Sequence, residues 1–260
     1  MIKIAFFDVD GTLLKMGHKD PSDKTIFALQ QLRKNGVLIC MATGRGYPAV
    51  PQFEGIEFDI LLTFNGSYVR NKEQVIFSMP LDQEDKFTIV KNLTAMNRAA
   101  AVSTESEIVA NGTDDALKQY FAFGSEDLVV SADFDRICAE KVFQMMCSAT
   151  EAEYEQVLKG TRHTQITAWW DKALDIIPAM SGKGRATKAV LDYYGFTPEE
   201  ALAFGDGRND IEMLEAVGTG IAMDNAKDEV KARADEICQS VENDGIYYYC
   251  VEKQLIHSVD

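Results

Sequence analysis

Positive charge is in short supply. The 260 residues carry 26 Lys and Arg against 41 Asp and Glu, a formal net charge of −15. A protein that grips a nucleic-acid backbone needs a basic face, and an anionic membrane surface asks for the same; both are excluded as partners. The excess is spread along the chain and is not a tail, with −8 on residues 82–180 and −7 on the rest. Long hydrophobic runs are also missing. No stretch reaches 18 uncharged apolar residues, so no membrane-spanning helix is expected, and Met1–Phe7 is too short for a signal core. Cysteine is sparse, at five residues (Cys40, Cys138, Cys147, Cys238, Cys250), odd in number and without a CxxC pair. Free thiols in a reducing compartment, the cytoplasm, are expected, and the sequons at Asn65, Asn92 and Asn111 then carry no meaning. With only three histidines and no HExxH or Cys/His spacing, a zinc site of the usual kind is excluded.

What is present describes a globular protein, 46% hydrophobic and 26% charged. Its length allows one large or two modest domains. Ile2–Phe7 is a short apolar run ending at Asp8. Pro21-Ser22 then opens a helix, with Ser22 as N-cap, that Asn35-Gly36 stops. Val37–Met41 and Ile60–Phe64 are two further apolar runs, ending at Thr43-Gly44-Arg45 and Asn65-Gly66. Strand, helix, strand in this rhythm predicts βαβ units and a parallel sheet covered on both faces. The rhythm returns after residue 180, with helices at 185–194, 211–216 and 226–234 and strands at 201–204 and 220–223. Between the two halves it breaks into helical stretches near 86–96, 115–121 and 152–158. Strand-like pieces lie near 101–109, 141–146, 164–170 and 174–177. The expected architecture is therefore α/β: a discontinuous Rossmann-like core of residues 1–81 and 181–260, with an α+β domain, 82–180, inserted in it.

Asp8-Val9-Asp10-Gly11-Thr12 is the sharpest motif. It follows a strand directly, and ligands of open α/β sheets collect at the carboxyl ends of strands. Two carboxylates two residues apart, with a glycine to turn the chain, suit a hard cation such as Mg²⁺. An Asp-rich turn would read the same in isolation. An EF-hand would not, because it needs Gly where Leu13 stands and Glu where Lys19 stands. The motif has company. Gly205-Asp206-Gly207-Arg208-Asn209-Asp210 ends another apolar run with two more carboxylates. Thr43-Gly44 offers a hydroxyl and open backbone to phosphate oxygens, and Lys183 opens a helix where a cation and free N–H groups can neutralise an anion. Four such clusters at strand or helix ends are hard to obtain by accident.

Taken together and in this order, Asp8-Val9-Asp10-Gly11-Thr12, Ala42-Thr43-Gly44-Arg45, Lys183-Gly184 and Gly205-Asp206 with Asn209-Asp210 resemble the haloacid dehalogenase superfamily of phosphohydrolases. The resemblance is to its Cof-type branch with an α+β cap, to which Asn65-Gly66-Ser67 also bears a likeness. It implies that Asp8 is the nucleophile that becomes an aspartyl-phosphate and that Asp10 is the general acid and base. It implies that Thr43, Gly44, Lys183 and Asn209 bind the phosphoryl group, and that Asp8, the Asp10 carbonyl and Asp206 hold Mg²⁺. Asp210 then supports the metal's waters or orients Lys183. One departure is Gly182, where many relatives carry a polar residue before the lysine.

The expected activity is Mg²⁺-dependent hydrolysis of small phosphorylated metabolites, sugar phosphates above all. A phosphosugar mutase using the same Asp pair is the alternative within the family, and a catalytically silent metabolite-binding protein the alternative outside it. In the insert, His163, Trp169 and Trp170 are the candidates for substrate contact, and packing is the plainer account of each. Arg208 reads as an exposed cation beside an acidic cluster, and Tyr247-Tyr248-Tyr249 as helix packing.

Overall fold

Short apolar runs bounded by turn residues form the strands, and amphipathic stretches with an acidic or hydroxyl cap form the helices. The computed structural model describes residues 1–123, 127–170 and 172–258, with the side chains of residues 123 and 168–170 outside the description. The chain begins with β1 (Ile4–Phe7), α1 (Asp23–Lys34), β2 (Leu38–Ala42), β3 (Ile60–Thr63), β4 (Tyr68–Asn71) and β5 (Val75–Ser78). Next come α2 (Gln83–Ala95), β6 (Ala101–Ser103), β7 (Ile108–Ala110), α3 (Asp115–Phe123), α4 (Phe134–Cys138), β8 (Gln144–Ser148), α5 (Tyr154–Val157), β9 (Thr164–Trp170) and β10 (Ala173–Pro178). The last section holds α6 (Lys183–Tyr194), β11 (Ala201–Gly205), α7 (Ile211–Leu214), β12 (Thr219–Met223), α8 (Asp228–Lys231), β13 (Glu236–Cys238) and α9 (Gly245–Glu252).

Two compact units result: Met1–Gly44, Pro51–Phe77 and Lys183–Asp260 form one, Arg45–Val50 and Ser78–Gly182 the other. The first is built on an eight-stranded sheet ordered β13-β12-β11-β1-β2-β3-β4-β5. It is parallel from β13 to β3 and turns antiparallel at β4. Every residue of β1 is buried, which is why it reads as a continuous apolar run and not as an alternation. From β1 the chain winds outward through β2 and β3 on one side. When it returns, it winds through β11, β12 and β13 on the other. The reversal falls between β1 and β11, where such sheets place their ligands. Ser22 caps α1 through Thr25 N, and Tyr247 and Tyr249 of α9 are buried as packing residues, while Tyr248 between them is exposed.

The second unit is an antiparallel five-stranded sheet, β7-β6-β8-β10-β9. One face carries Val102, Met145, Cys147, Leu174 and Ile176 against Ile89 and Leu93 of α2 and Val157 of α5. The other carries Ala101, Ala110 and Met146 against Leu117 and Phe121 of α3. Several elements depart from the pattern read in the sequence. The piece near 101–109 is a two-strand hairpin, because Thr104 turns the chain by bonding Glu107. The helix expected over 226–234 is a single turn, α8, and 211–216 shortens to α7. Strand β4 and the edge strands β5 and β13 have exposed or half-buried stretches, so they lack the apolar run that marks the other strands. All five cysteines are buried free thiols, and among the described residues no helix is long and apolar enough to cross a membrane.

Candidate active site

The site grows from the register of β1. Phe7 pairs with Phe204 of β11 and with Met41 of β2, so the residues that follow these strands emerge side by side at one end of the sheet. Asp8 is the first residue past β1, tied by its N–H to Phe204 O at 3.0 Å. The chain then turns tightly, with Leu13 N and Leu14 N both donating to Val9 O. Gly11 sits at φ +94°, where a Cβ would come within 2.2 Å of Asp206 Oδ2, so the motif's glycine is a spatial requirement as well as a conformational one. The neighbouring Thr12 hydroxyl donates to Asp206 Oδ1 at 2.8 Å. Thr12 was legible only as part of a motif; its role as a carboxylate anchor comes from a residue 194 positions away.

Lys183, the first residue of α6, is buried and reaches two carboxylates: Asp8 Oδ1 at 2.6 Å and Asp210 Oδ1 at 2.5 Å. The other Asp210 oxygen accepts the N–H groups of Asp206 at 3.0 Å and Gly207 at 2.8 Å. Asp210 therefore fixes both the lysine and the turn that carries Asp206. One carboxylate oxygen from each of Asp8, Asp206 and Asp210 lies within 4.8 Å of the others. The Asp10 side chain is exposed and close enough to Asp206 to raise its pKa, while its backbone bridges to Leu14.

Three anions crowd one ammonium here. Burial foremost, then the Asp210 carboxylate, pushes Asp8 well above the usual carboxylate range, against the pull of Lys183. The same two causes push Asp206 up to about 7. Burial alone would lower Lys183, but Asp210 and Asp8 outweigh it and hold its ammonium above the ordinary lysine value. With all three carboxylates ionised the cluster would be short of positive charge by two units, and its donors are all carboxylate oxygens. That donor set fits a hard divalent cation, held by carboxylates and completed by substrate oxygens.

The phosphate-binding candidates lie around this cluster. Thr43 is buried just past β2, with its N–H on Leu62 O at 2.8 Å and its carbonyl accepting Asn65 N at 3.2 Å. Gly44 leaves room for the Asn65 side chain, whose Oδ1 would stand 2.9 Å from a Cβ there. Asn209 donates to that same Oδ1 at 3.0 Å. Arg208 is exposed and ion-paired with Glu229, as its plain reading had it. In the second unit, His163 is exposed and lines a cavity of about 100 Å³ with Asp82, Glu84, Asp85, Thr88, Gly160 and Arg162. The side chains of Trp169 and Trp170 lie outside the described residues. Asn225, which no local pattern marked, bridges the motif loop by donating to Gly11 O at 2.8 Å and accepting Val241 N at 2.9 Å.

Comparison with known proteins places this fold and its carboxylate cluster in a family. The family model of haloacid dehalogenase-like hydrolases matches residues 5–250. The chain belongs to that family. It is 29% identical over 270 residues, 94% of this chain and 95% of the other, to the Bacillus subtilis 5-amino-6-(5-phospho-D-ribitylamino)uracil phosphatase YitU. A sugar phosphatase of the family's subclass IIB has the same fold, with a TM-score of 0.88 and 27% identity over 98% of this chain and 100% of that one. A longer Streptococcus pyogenes protein, provisionally named a bifunctional phosphatase/peptidyl-prolyl cis-trans isomerase, is 28% identical over 98% of this chain, which spans only 54% of it. The protein is a phosphoric monoester hydrolase with an α+β insertion of the Cof type.

Proposed function

We propose that the protein is a Mg²⁺-dependent phosphatase of small phosphorylated metabolites, sugar phosphates foremost, acting through an aspartyl-phosphate on Asp8. The observation that carries this reading is the buried cluster in which Asp8, Asp206 and Asp210 face the single ammonium of Lys183. Asp8, the Asp10 carbonyl and Asp206 would hold the ion, with Asp210 supporting them, since both of its oxygens are already engaged. When bound, the ion neutralises charge on the phosphoryl oxygens. The chain's own residues do the rest. Lys183 orients the Asp8 carboxylate, whose oxygen forms a bond to phosphorus as the bond to the leaving oxygen breaks. Asp10, exposed where protons exchange with solvent, gives its proton to that leaving oxygen. It then takes one from the water that attacks phosphorus and frees Asp8. Thr43, Gly44, Lys183 and Asn209 hold the transferring group, for which positioning and charge neutralisation are the main requirements.

Residues 82–180 hold none of these groups, and we assign them to recognition of the leaving group, as the cap domain of the enzyme. Sugar phosphates come first because the subclass IIB neighbour is a sugar phosphatase. Buried free thiols support a cytoplasmic setting. The test is phosphate release from a panel of phosphorylated sugars and nucleotides with Mg²⁺ or with chelator, alongside thermal unfolding. Turnover should need the metal, and Mg²⁺ should raise Tm in the wild type but not in Asp206→Asn. Turnover undiminished in chelator would overturn the metal assignment. A requirement for a bisphosphate activator would make the enzyme a mutase.

A further inference from the structure

We infer that Asn65 is a positioning residue of this phosphatase, holding the Asn209 amide in the orientation in which it meets the phosphoryl group; the inference rests on the phosphatase reading and on the place of Asn209 in it. The backbone gives the first argument. Phe64, Asn65 and Gly66 follow one another at φ 52°, 51° and 92°, a left-handed run that glycine adopts freely and asparagine tolerates but phenylalanine does not. Such conformations persist where the surroundings over-determine them, and they gather at functional sites. Phe64 is fully buried, set edge-on to Tyr68 at 6.2 Å, and this anchors the run from below.

The contacts give the second argument. The run delivers the Asn65 side chain, only 3% exposed, to a point shared by three strand ends. Its N–H bonds Thr43 O past β2, its Oδ1 accepts Asn209 Nδ2 past β11, and it springs itself from the end of β3. Gly44 is the residue that makes room for it, since a Cβ there would press on Oδ1 and Nδ2 at 2.9 and 3.1 Å. The Asn209 partner is 144 residues away in sequence, so the needs of a local turn between β3 and β4 do not account for the bond. Asn209 itself stands one residue before Asp210 and three after Asp206, on the turn whose N–H groups Asp210 holds. An amide side chain has two faces to offer, and the bond to Asn65 decides which one Asn209 presents.

The test is a double-mutant cycle read by competitive inhibition with inorganic phosphate, together with kcat, KM and Tm. Asn65→Gly keeps the left-handed backbone without strain and removes the acceptor. Alone it should weaken phosphate inhibition by about two- to tenfold, the range of one neutral hydrogen bond. In an Asn209→Ala background the same change should have no further effect on that constant. A role in folding only would lower Tm and leave phosphate inhibition unchanged, or change it equally in both backgrounds; either result overturns the inference. Should Asn65→Gly not fold, Asn65→Asp keeps both the backbone tolerance and an acceptor oxygen. Its cost to phosphate inhibition should grow once Asn209 no longer covers the added charge, and an equal cost in both backgrounds again overturns the inference. A wild type that neither releases phosphate nor is inhibited by it would instead refute the phosphatase reading itself.

Discussion

Both units of this protein bury charge, and they answer it in opposite ways. In the inserted unit the buried groups make hydrogen bonds to neutral partners. Lys86 donates to Glu140 O at 2.6 Å, and the Asp85 carboxylate accepts the N–H groups of Arg162 at 3.1 Å and His163 at 2.7 Å. Asp175 accepts the Tyr120 hydroxyl. Each of these contacts ties a loop or helix to the sheet or helix beside it. In the core, charge answers charge, and the count does not balance. Asp8, Asp206 and Asp210 converge around Lys183, and two of the three are pushed upward by burial and by one another. A folded chain left to itself gains nothing from that surplus. The contrast separates a charge that serves the fold from a set of charges arranged for something the chain does not itself contain.

The contrast is broken most severely at Asp8. Asp8→Asn keeps the shape and a weak acceptor for Lys183 but removes the attacking anion, so turnover should fall on the order of 10⁴-fold or more, as losses of a nucleophile do. Because the substitution also relieves crowding among carboxylates, Tm should hold or rise. Phosphate release within tenfold of wild type would take the nucleophile's role away from Asp8. Asp10→Asn comes next. Each proton transfer is worth about 10²- to 10⁴-fold. With a poor leaving group both half-reactions should slow by such factors. With an aryl phosphate the first needs little protonation while the second still needs a base, so phosphoenzyme should accumulate. Equal loss on both substrates, with no trapped intermediate after an acid quench, would remove Asp10 from the acid and base role.

The core's site was more legible than its surroundings, for a physical reason. Residues such as Asp8, Thr43 and Asp206 stand just past apolar runs, so each local pattern announces both the strand and the position at its carboxyl end. Lys183 and Asn209 were legible from the motif, but their partners were not, since the bonds to Asp8 and Asn65 span 175 and 144 residues. Asn225 left no local sign at all, because its meaning lies in Gly11 and Val241. The edge strands β5 and β13 were missed because an edge strand is not buried on both sides and so need not be apolar, and β4 because its half-buried Arg70 and Asn71 break the apolar run. In the insert, β9 and β10 fall where the sequence places them, while the short helix α4 was not read at all. α2 was placed near 86–96, but its start at Gln83 and the Asp82 cap emerge only in the structure, and β6 and β7 merge into one run unless Thr104 is recognised as the turn.

The smallest expected effect tests the other side of the contrast, at Lys86. Its side chain is almost fully buried, and burial pushes its ammonium below the ordinary lysine value. The folded protein therefore binds this proton less readily than the unfolded chain does, whose lysines titrate near about 10.4. Where both states are charged, at neutral pH, the folded state bears the full cost of desolvation. As the pH rises through the lowered folded value toward that of the unfolded chain, the cost disappears, so this residue makes the protein gain stability with pH. Lys86→Met fills a similar volume with no charge and loses the bond to Glu140 O, two changes that oppose each other. Near pH 7 its stability should lie within about 1 kcal/mol of wild type, the scale of one hydrogen bond. Relative to wild type it should look best at neutral pH and progressively worse as the pH approaches about 10.4. Turnover should not change, since Lys86 takes no part in the proposed chemistry. Urea midpoints of both proteins at several pH values between 7 and 10 measure the trend. A constant difference across that range would mean that the lysine is not held charged at a cost, and that the insert's buried charge is more comfortable than its contacts imply.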